Sequence, residues 1–497
     1  MYQHLPTALF SAEQARQLDQ TVIRNGIPGI KLMKRAGYAV FQKILSHWPG
    51  KPLTVFCGSG NNGGDGYIVA ALAAEGRLPV RVIQMSSPGK LGGDARTAFQ
   101  YARDAGVPMV PFSDCLDLSA GVVVDAMLGT GFSGEVREPF AQAIRLINHS
   151  GLPVVAVDIP SGLSANTGAA NGPAVEANLT VTFIALKQGL FTGRGPALGG
   201  ELVYSDLRVS EQILAAEPHT AYRLELDPLR STLLAPRRRD AHKGAFGHVL
   251  IIGGDRGFGG AASMAAEAAL RVGAGLVSVA TQPEHVTALL ARRPELMVRA
   301  VTSGQQLRPL LARATVLVAG PGLGRSPWSE QLLQQVLDTA LPVVLDADAL
   351  NILSEARLTS GHLPSNWIIT PHPGEAARLL GITVEAVEAD RFAVVRALQQ
   401  TFQCAVVLKG AGSLVCLDPG LPVAVCTGGN PGMASGGMGD VLSGIIGGLI
   451  AQGLSPDMAL PLAVCLHTEA ADRAAVEGER GMLATDLLGP LRHLVNP

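Results

Sequence analysis

The chain has almost no surplus of either charge: Lys and Arg number 39, Asp and Glu 41, for a formal charge of −2. With no net field to draw in polyanions, neither nucleic acid nor an anionic lipid surface is an expected partner. The six cysteines, Cys57, Cys115, Cys404, Cys416, Cys426 and Cys465, include no C-x-x-C pair and no His at metal-ligand spacing. That argues against a zinc-type site, and the thiols read as buried apolar groups in a reducing compartment. No basic segment followed by a sustained apolar run opens MYQHLPTALFSAEQARQLDQ, and the most apolar stretch, VLSGIIGGLIAQG, is about half of what crosses a bilayer. The expected setting is cytoplasmic, with no membrane partner.

Aromatic residues are also scarce, at 4%, beside 47% apolar residues and 59 glycines. This is the profile of a soluble α/β enzyme whose strands are buried on both faces. At 497 residues the chain exceeds one ordinary core, and two large domains fit best.

Ser11 with Gln14 has the form of a capping box, and the apolar spacing after it predicts one or two helices to about residue 48. Short apolar runs then alternate with helical segments: PLTVFC (52–57), PVRVIQM (79–85), GVVVDA (121–126), PVVAVDI (153–159) and LTVTFIA (179–185). Such alternation predicts a parallel sheet with right-handed crossovers. The rhythm stops over 206–240, which places a boundary near residue 220. The run Arg237, Arg238, Arg239 reads as a solvated linker, with a phosphate clamp as the alternative. A second series follows at 247–254, 275–281, 314–320, 342–348, 367–375, 404–410 and 413–418, most of its strands ending in Gly, Asp or His. In open α/β sheets ligands sit beyond the carboxyl ends of strands, so chemistry is expected there.

The densest such ending is NPGMASGGMGD (430–440), which runs straight into an apolar helix. Bare backbone in front of a helix N-terminus makes an anion cradle. Asp440 in its mouth is either a simple helix cap or a base beside a transferring phosphoryl group. The turns PGLGR (321–325), DADALN (346–351), HPGE (372–375) and LKGAGS (408–413), and KGAFGHVLIIGG (243–254), lie in the same half.

Together these motifs resemble the ribokinase-type dehydratase domain of the bifunctional NAD(P)H-hydrate repair enzymes, over roughly 225–493. The resemblance implies ADP-dependent dehydration of the S form of the C6-hydroxylated nicotinamide (NADHX and NADPHX), with Mg²⁺ and ADP as co-substrate, releasing AMP and phosphate. It implies Asp440 as the base. Lys409, Gly410, Ala411, Gly412 and Ser413, with Asn430, Pro431, Gly432, Met433, Ala434, Ser435, Gly436, Gly437, Met438 and Gly439, fall at the family's ADP-binding positions. Ala261, Gly322, His372, Pro373, Gly374, Glu375, Ala376, Ala377, Arg378 and Asp440 fall at its hydrate-binding ones. His372 is the weakest proton carrier among them, and Glu375 reads either as a metal-side carboxylate or as the start of a helix.

In the first half, VFCGSGNNGGDG, GVVVDAMLGTGFSGE and PVVAVDIPSGL bring three strand ends to one rim. Asn62, Asp125 and Ser161 offer hard oxygen ligands, and each carboxylate there also fits a structural role. These segments resemble the epimerase domain of the same family, over about 10–215. The resemblance implies K⁺ on Asn62, Asp125 and Ser161. It places substrate on Asn61, Asn62, Gly63, Gly64, Asp65, Gly129, Thr130, Gly131, Phe132, Ser133, Gly134, Glu135 and Asp158. Asp158 is the expected acid/base for inverting C6, with Lys187 as a helper.

The expected organisation is thus an epimerase domain over 1–217, Rossmann-like with a parallel sheet and helices on both faces, and a ribokinase-like α/β dehydratase domain over 225–497. A homo-oligomer binding small molecules is expected. The rival readings are a ribokinase-like vitamin-precursor kinase with an auxiliary nucleotide-binding domain, and a first half that only senses nucleotide or binds a partner.

Overall fold

The computed structural model describes residues 5–355 and 362–496; the first four residues of the N-terminal stretch quoted above fall outside them. The chain divides into two compact units, Met1–Tyr222 and Arg223–Pro497.

In the first unit, Ser11 and Gln14 close the anticipated capping box, with Gln14 N donating to Ser11 Oγ at 3.2 Å and Ser11 N to Gln14 Oε1 at 3.0 Å. The helices Ala12–Arg24 and Gly29–His47 follow. The strands are β1 (Ala8–Leu9), β2 (Leu53–Cys57), β3 (Val80–Gln84), β4 (Met109–Pro111), β5 (Val122–Ala126), β6 (Val154–Val157), β7 (Leu179–Phe183) and β8 (Glu201–Ser205). Seven of them form a parallel sheet in the order β4-β3-β2-β5-β6-β7-β8.

Successive residues of β2 serve two cores. Val55 packs with Tyr67, Ile68 and Ala98 on one face, Phe56 with Ile83, Val123 and Ile144 on the other. This is why β2, β5 and β7 are buried at every position and read as unbroken apolar runs. The order reverses between β2 and β5, which opens a crevice at their carboxyl ends. The helix Asn61–Glu75 starts there and lies so close to the sheet that a Cβ on Gly66 would come within 2.5 Å of Ala126 Cβ.

The short strand β9 (Ala221–Arg223) spans the point in the chain where the first unit ends and the second begins. The second contains β10 (His248–Ile252), β11 (Leu276–Thr281), β12 (Met297–Ala300), β13 (Val316–Ala319), β14 (Val343–Leu345), β15 (Ile368–Ile369), β16 (Ala405–Leu408), β17 (Ser413–Cys416) and β18 (Val423–Cys426). Their order is β18-β17-β16-β15-β14-β13-β10-β11-β12. From β12 to β16 all neighbours are parallel, but β17 and β18 run antiparallel. This corrects a purely strand–helix reading of the second series. Only four residues separate β16 from β17, far too few for a crossover helix, so the chain must turn back on itself.

The helix Met438–Ala451 lies across the helix Gly259–Arg271 at a separation only glycine permits: a Cβ on Gly444 would overlap the carbonyl of Ala265, and one on Gly448 would overlap Val272. The arginine run is not uniformly solvated. Arg238 pairs with Asp240 at the surface, whereas Arg237 stacks 3.7 Å over the Phe246 ring and donates to the Gly273 carbonyl and to Gln452 Oε1. It holds the end of the helix Gly259–Arg271.

Candidate active sites

In the first unit the site lies at the β2/β5 crevice and the neighbouring strand ends. Asp158 follows β6 with φ +67°, a left-handed conformation that costs a non-glycine residue energy and persists where its surroundings enforce it. Its Oδ1 accepts from Thr182 Oγ1 at 3.1 Å, from Phe183 N at 3.2 Å and from Lys187 Nζ. Lys187 is buried and also donates to Thr182 Oγ1 and the Phe183 carbonyl, both at 3.1 Å. The lysine is therefore fully committed, and all three bonds to Asp158 fall on Oδ1, leaving a side chain that is 16% exposed.

Asp65, on the helix Asn61–Glu75, is pushed well above the usual carboxylate range by burial and by the negative charges of Asp158 and Asp19. Asp19 was not anticipated from the sequence. It sits on the polar side of an amphipathic helix, a position that periodicity alone assigns to solvent.

Asn62, Asp125 and Ser161 do come together. Asp125 is completely buried. It accepts from Ser161 N at 2.7 Å, Ser161 Oγ at 2.6 Å and Met127 N at 3.2 Å. Burial pushes its carboxyl up to about 6, against the pull of those Ser161 bonds. Asn62 Nδ2 donates to the Leu128 carbonyl at 3.0 Å, while its buried Oδ1 has no hydrogen-bond partner. A buried carboxylate with no cationic partner beside an orphaned amide oxygen is a donor set that suits a monovalent cation. Of the 129–135 loop, Gly129 lies against the Asn62 side chain.

In the second unit the turns after β10, β13, β14, β15 and β16 converge. Gly324 N donates to Asp348 Oδ2 at 2.9 Å, Asn351 Nδ2 to Asp348 Oδ1 at 3.3 Å, and Arg378 Nε to Asn351 Oδ1 at 2.8 Å. Gly322 lies beside Ala261, so those two positions share one wall. Between Asp346 and Asp348, Ala347 has φ +48°, another strained residue at a strand end.

Lys409 Nζ lies 2.6 Å from Asp346 Oδ1 and 3.8 Å from Glu375 Oε2. Ser443 Oγ donates to Asp346 Oδ2 at 2.6 Å. Burial pushes the Asp346 carboxyl up, but Lys409 and the hydroxyls of Ser443 and Thr370 outweigh it and hold it low. The lysine is correspondingly held high. Burial takes Glu375 up to about 7 even though Lys409 opposes it.

Asp440 does not cap its helix. Gly437, at φ +95°, occupies the cap, and Asp440 is the third helical residue. Its carboxyl rises to about 7, first through burial and then through Asp346, Asp348 and Glu375, with Lys409 pulling the other way. Such a group is near half-ionised at neutral pH and suited to proton abstraction. Gly439 brings the cradle against Lys409: a Cβ there would lie 3.0 Å from Nζ.

His372 caps the helix Pro373–Leu380, its Nδ1 accepting from Gly374 N at 2.9 Å, while His372 N donates to Glu375 Oε2 at 2.8 Å. Glu375 thus both begins a helix and faces Lys409. Two supports escaped the sequence reading. Arg391, buried, donates to the Leu408 and Lys409 carbonyls at 3.4 and 3.1 Å and fixes the lysine's strand end. Asp472 accepts from Gly429 N and Asn430 Nδ2, both at 2.9 Å, and pins the glycine-rich loop. Among the described residues no three His, Cys, Asp or Glu side chains are grouped to hold a metal ion on their own, and no helix is long and apolar enough to cross a membrane.

Two family models match the chain: one described as NAD(P)H-hydrate dehydratase over residues 249–492, the other as YjeF-related protein N-terminus over 29–189. A protein of Coxiella burnetii named bifunctional NAD(P)H-hydrate repair enzyme is 51% identical over 99% of this chain and 100% of its own. Its Escherichia coli namesake is 45% identical over 95% of this chain and 90% of its own. Among solved structures, a ribokinase-like superfamily protein of Enterococcus faecalis is 32% identical with a TM-score of 0.51, covering 55% of this chain and 94% of its own. A hypothetical protein of Streptococcus mutans matches at 30% identity and the same TM-score, over 55% of this chain and 98% of its own.

Proposed function

The chain belongs to the bifunctional NAD(P)H-hydrate repair enzymes, and from that premise we propose which residues carry each half of the repair. The family's activity joins an epimerase, which interconverts the R and S hydrates, to a dehydratase that returns the hydrate to NAD(P)H. The observation that supports the residue assignment is that each unit places a carboxylate at its strand or helix ends in a polar setting, Asp158 beside Lys187 and Asp440 beside a glycine nest.

In the dehydratase unit, Asp440 takes the proton of the C6 hydroxyl as that oxygen attacks the β-phosphoryl group of ADP. The N–H groups of Gly436 to Gly439 and the Lys409 ammonium hold the charge of the moving phosphoryl group. That transfer releases AMP, and loss of phosphate from C6 together with a proton from C5 then restores the C5–C6 double bond of the reduced ring. Ala261, Gly322, His372 to Arg378 and Asn351 form the wall for the S hydrate, while Lys409 to Ser413 and Asn430 to Gly439 bind the nucleotide. Mg²⁺, with Glu375 as the candidate carboxylate on the protein side, would neutralise the phosphates.

In the epimerase unit, Asp158 exchanges a proton with the C6 hydroxyl, and Asn61 to Asp65 with Gly129 to Glu135 bind the substrate. K⁺ would lie on Asn62, Asp125 and Ser161, balance the buried carboxylate and fix the substrate loops. The protein acts as a cytoplasmic homo-oligomer on small molecules.

The test supplies hydrated NADH with ADP to the purified chain and follows recovery of the reduced-nicotinamide absorbance. Turnover of a free alcohol with ATP, with the hydrate inert, would instead establish a vitamin-precursor kinase.

A further inference from the structure

An ammonium close to a catalytic carboxylate is a hazard to it, and the second unit brings the two together. Strands β14, β15 and β16 run parallel side by side, so the residues that follow β14 and β16, Asp346 and Lys409, meet across the end of β15. The backbone of the lysine is fixed: its N donates to the Pro371 carbonyl at 2.9 Å, and its carbonyl accepts from Arg391 at 3.1 Å. Its ammonium reaches Asp346 Oδ1 at 2.6 Å. Gly439, the residue before Asp440, lies so near that a Cβ there would stand 3.0 Å from Lys409 Nζ and 3.5 Å from Asp346 Oδ2.

Among the described residues the ammonium nevertheless forms no ion pair with Asp440. Its acidic partners are Asp346 and, at 3.8 Å, Glu375. Each oxygen of Asp346 has a separate task. Oδ1 holds the lysine, and Oδ2 accepts from Ser443 Oγ at 2.6 Å. Ser443 stands three residues beyond Asp440 on the helix Met438–Ala451, and its Oγ also lies 3.0 Å from the Gly439 carbonyl, so Asp346 is fastened to the turn that carries the base. Of the other groups around Asp440, Asp348 and Glu375 raise its carboxyl. His467, on the helix Pro456–Ala474 packed against this one, is kept neutral by burial, which takes it down to about 4. Asp486 accepts from Leu483 N at 2.8 Å, and Glu267 and Arg271 lie toward the far end of the helix Gly259–Arg271.

We infer, on the dehydratase reading of Asp440 and Lys409, that Asp346 is a positioning residue whose task is to withhold the Lys409 ammonium from the base. An ammonium free to swing onto Asp440 would pair with it and favour its ionised form. The base would then lose affinity for the hydroxyl proton, and the lysine would no longer meet the phosphoryl group. Bound to Asp346 instead, the lysine keeps N–H donors for phosphate, and toward Asp440 the pair acts as one neutral unit. Asp346, 1% exposed, acts through Lys409 and not on the reactants.

The experiment follows ADP-dependent dehydration of the S hydrate against pH in the full chain, as wild type, Asp346→Asn and the double variant Asp346→Asn with Lys409→Met, with thermal unfolding run on each. Asp346→Asn frees the ammonium. The acid limb of kcat/KM, set by Asp440, is expected to move down by at least about one pH unit, the plateau kcat to fall about tenfold, and KM for the hydrate to stay within about threefold. The double variant leaves no buried charge from the pair and so folds even where Asp346→Asn does not. Its limb is expected within about one unit of wild type, while its kcat stays low for want of the phosphate contact. A slower Asp346→Asn whose limb moves by less than about one unit is what a merely structural role gives, and overturns the withholding role. So does a double variant whose limb lies more than about one unit above wild type, since Lys409 would then have been acting on the base all along. Wild-type protein that leaves the S hydrate unchanged with ADP overturns the dehydratase reading itself, whatever the variants do.

Discussion

Both units place a lysine–aspartate pair at the carboxyl ends of their strands, but they leave opposite partners open. In the first, Lys187 is 3% exposed and Asp158 16%. In the second, Asp346 is 1% exposed and Lys409 18%. In the reading proposed above, the buried member anchors and the more open member meets the substrate. A carboxylate turned outward can shuttle a proton, which is what inversion at C6 requires. An ammonium turned outward can meet a phosphate, and the proton work then falls to a third group, Asp440. One ion-pair motif thus serves two chemistries according to which end is covered.

The largest expected effect separates the two sites. Asp440→Asn should lower dehydration about a thousandfold while R/S exchange stays within about twofold, read by nicotinamide absorbance and by isomer analysis of the same sample. Next comes the anchoring claim. Lys409→Met strands a fully buried carboxylate and should destabilise the second unit by about 3 kcal/mol, whereas Lys187→Met leaves a carboxylate that water can reach and should cost clearly less. Thermal unfolding of the two variants settles the order, and equal losses would break the comparison. Asp158→Ala should slow exchange about a hundredfold, so that a mixed hydrate pool stalls once its S fraction is consumed. The smallest effect is in pH. Asp440 acts as a base and titrates near 7, so dehydration kcat/KM should rise with pH and fall about tenfold per unit below that point. A flat profile between pH 5 and 7, on the order of two units, would remove Asp440 from the proton path.

Much of this was legible in the sequence because the central strands are buried on both faces and so stand out as apolar runs. Three of the strands that escaped notice lack that signature, whereas β18 is buried at every position and was missed all the same. β4 and β12 are short and largely exposed, and β8 starts with an exposed Glu201. The antiparallel turn of β17 was hidden for another reason: hydrophobic pattern encodes burial and says nothing of strand direction. Glycine-rich turns pointed to Asp440 and Asp158 because close backbone approach leaves a mark in composition. Arg391 and Asp472 left none. Their partners are brought by the fold from distant segments, as Asp472 shows with Asn430, 42 residues away. A single polar residue on a helix looks the same whether it faces water or a reaction.

The crossing of two helices at Gly444 and Gly448 has a mechanical meaning. One helix carries Asp440 at its start and the other carries Ala261, so the proposed base and the proposed substrate wall ride on a single stiff strut with no slack between backbones. A methyl group inserted far down that seam would tilt the lever and misaim the carboxylate without touching any reactant. The dehydratase half thereby gains accuracy and gives up the freedom to breathe.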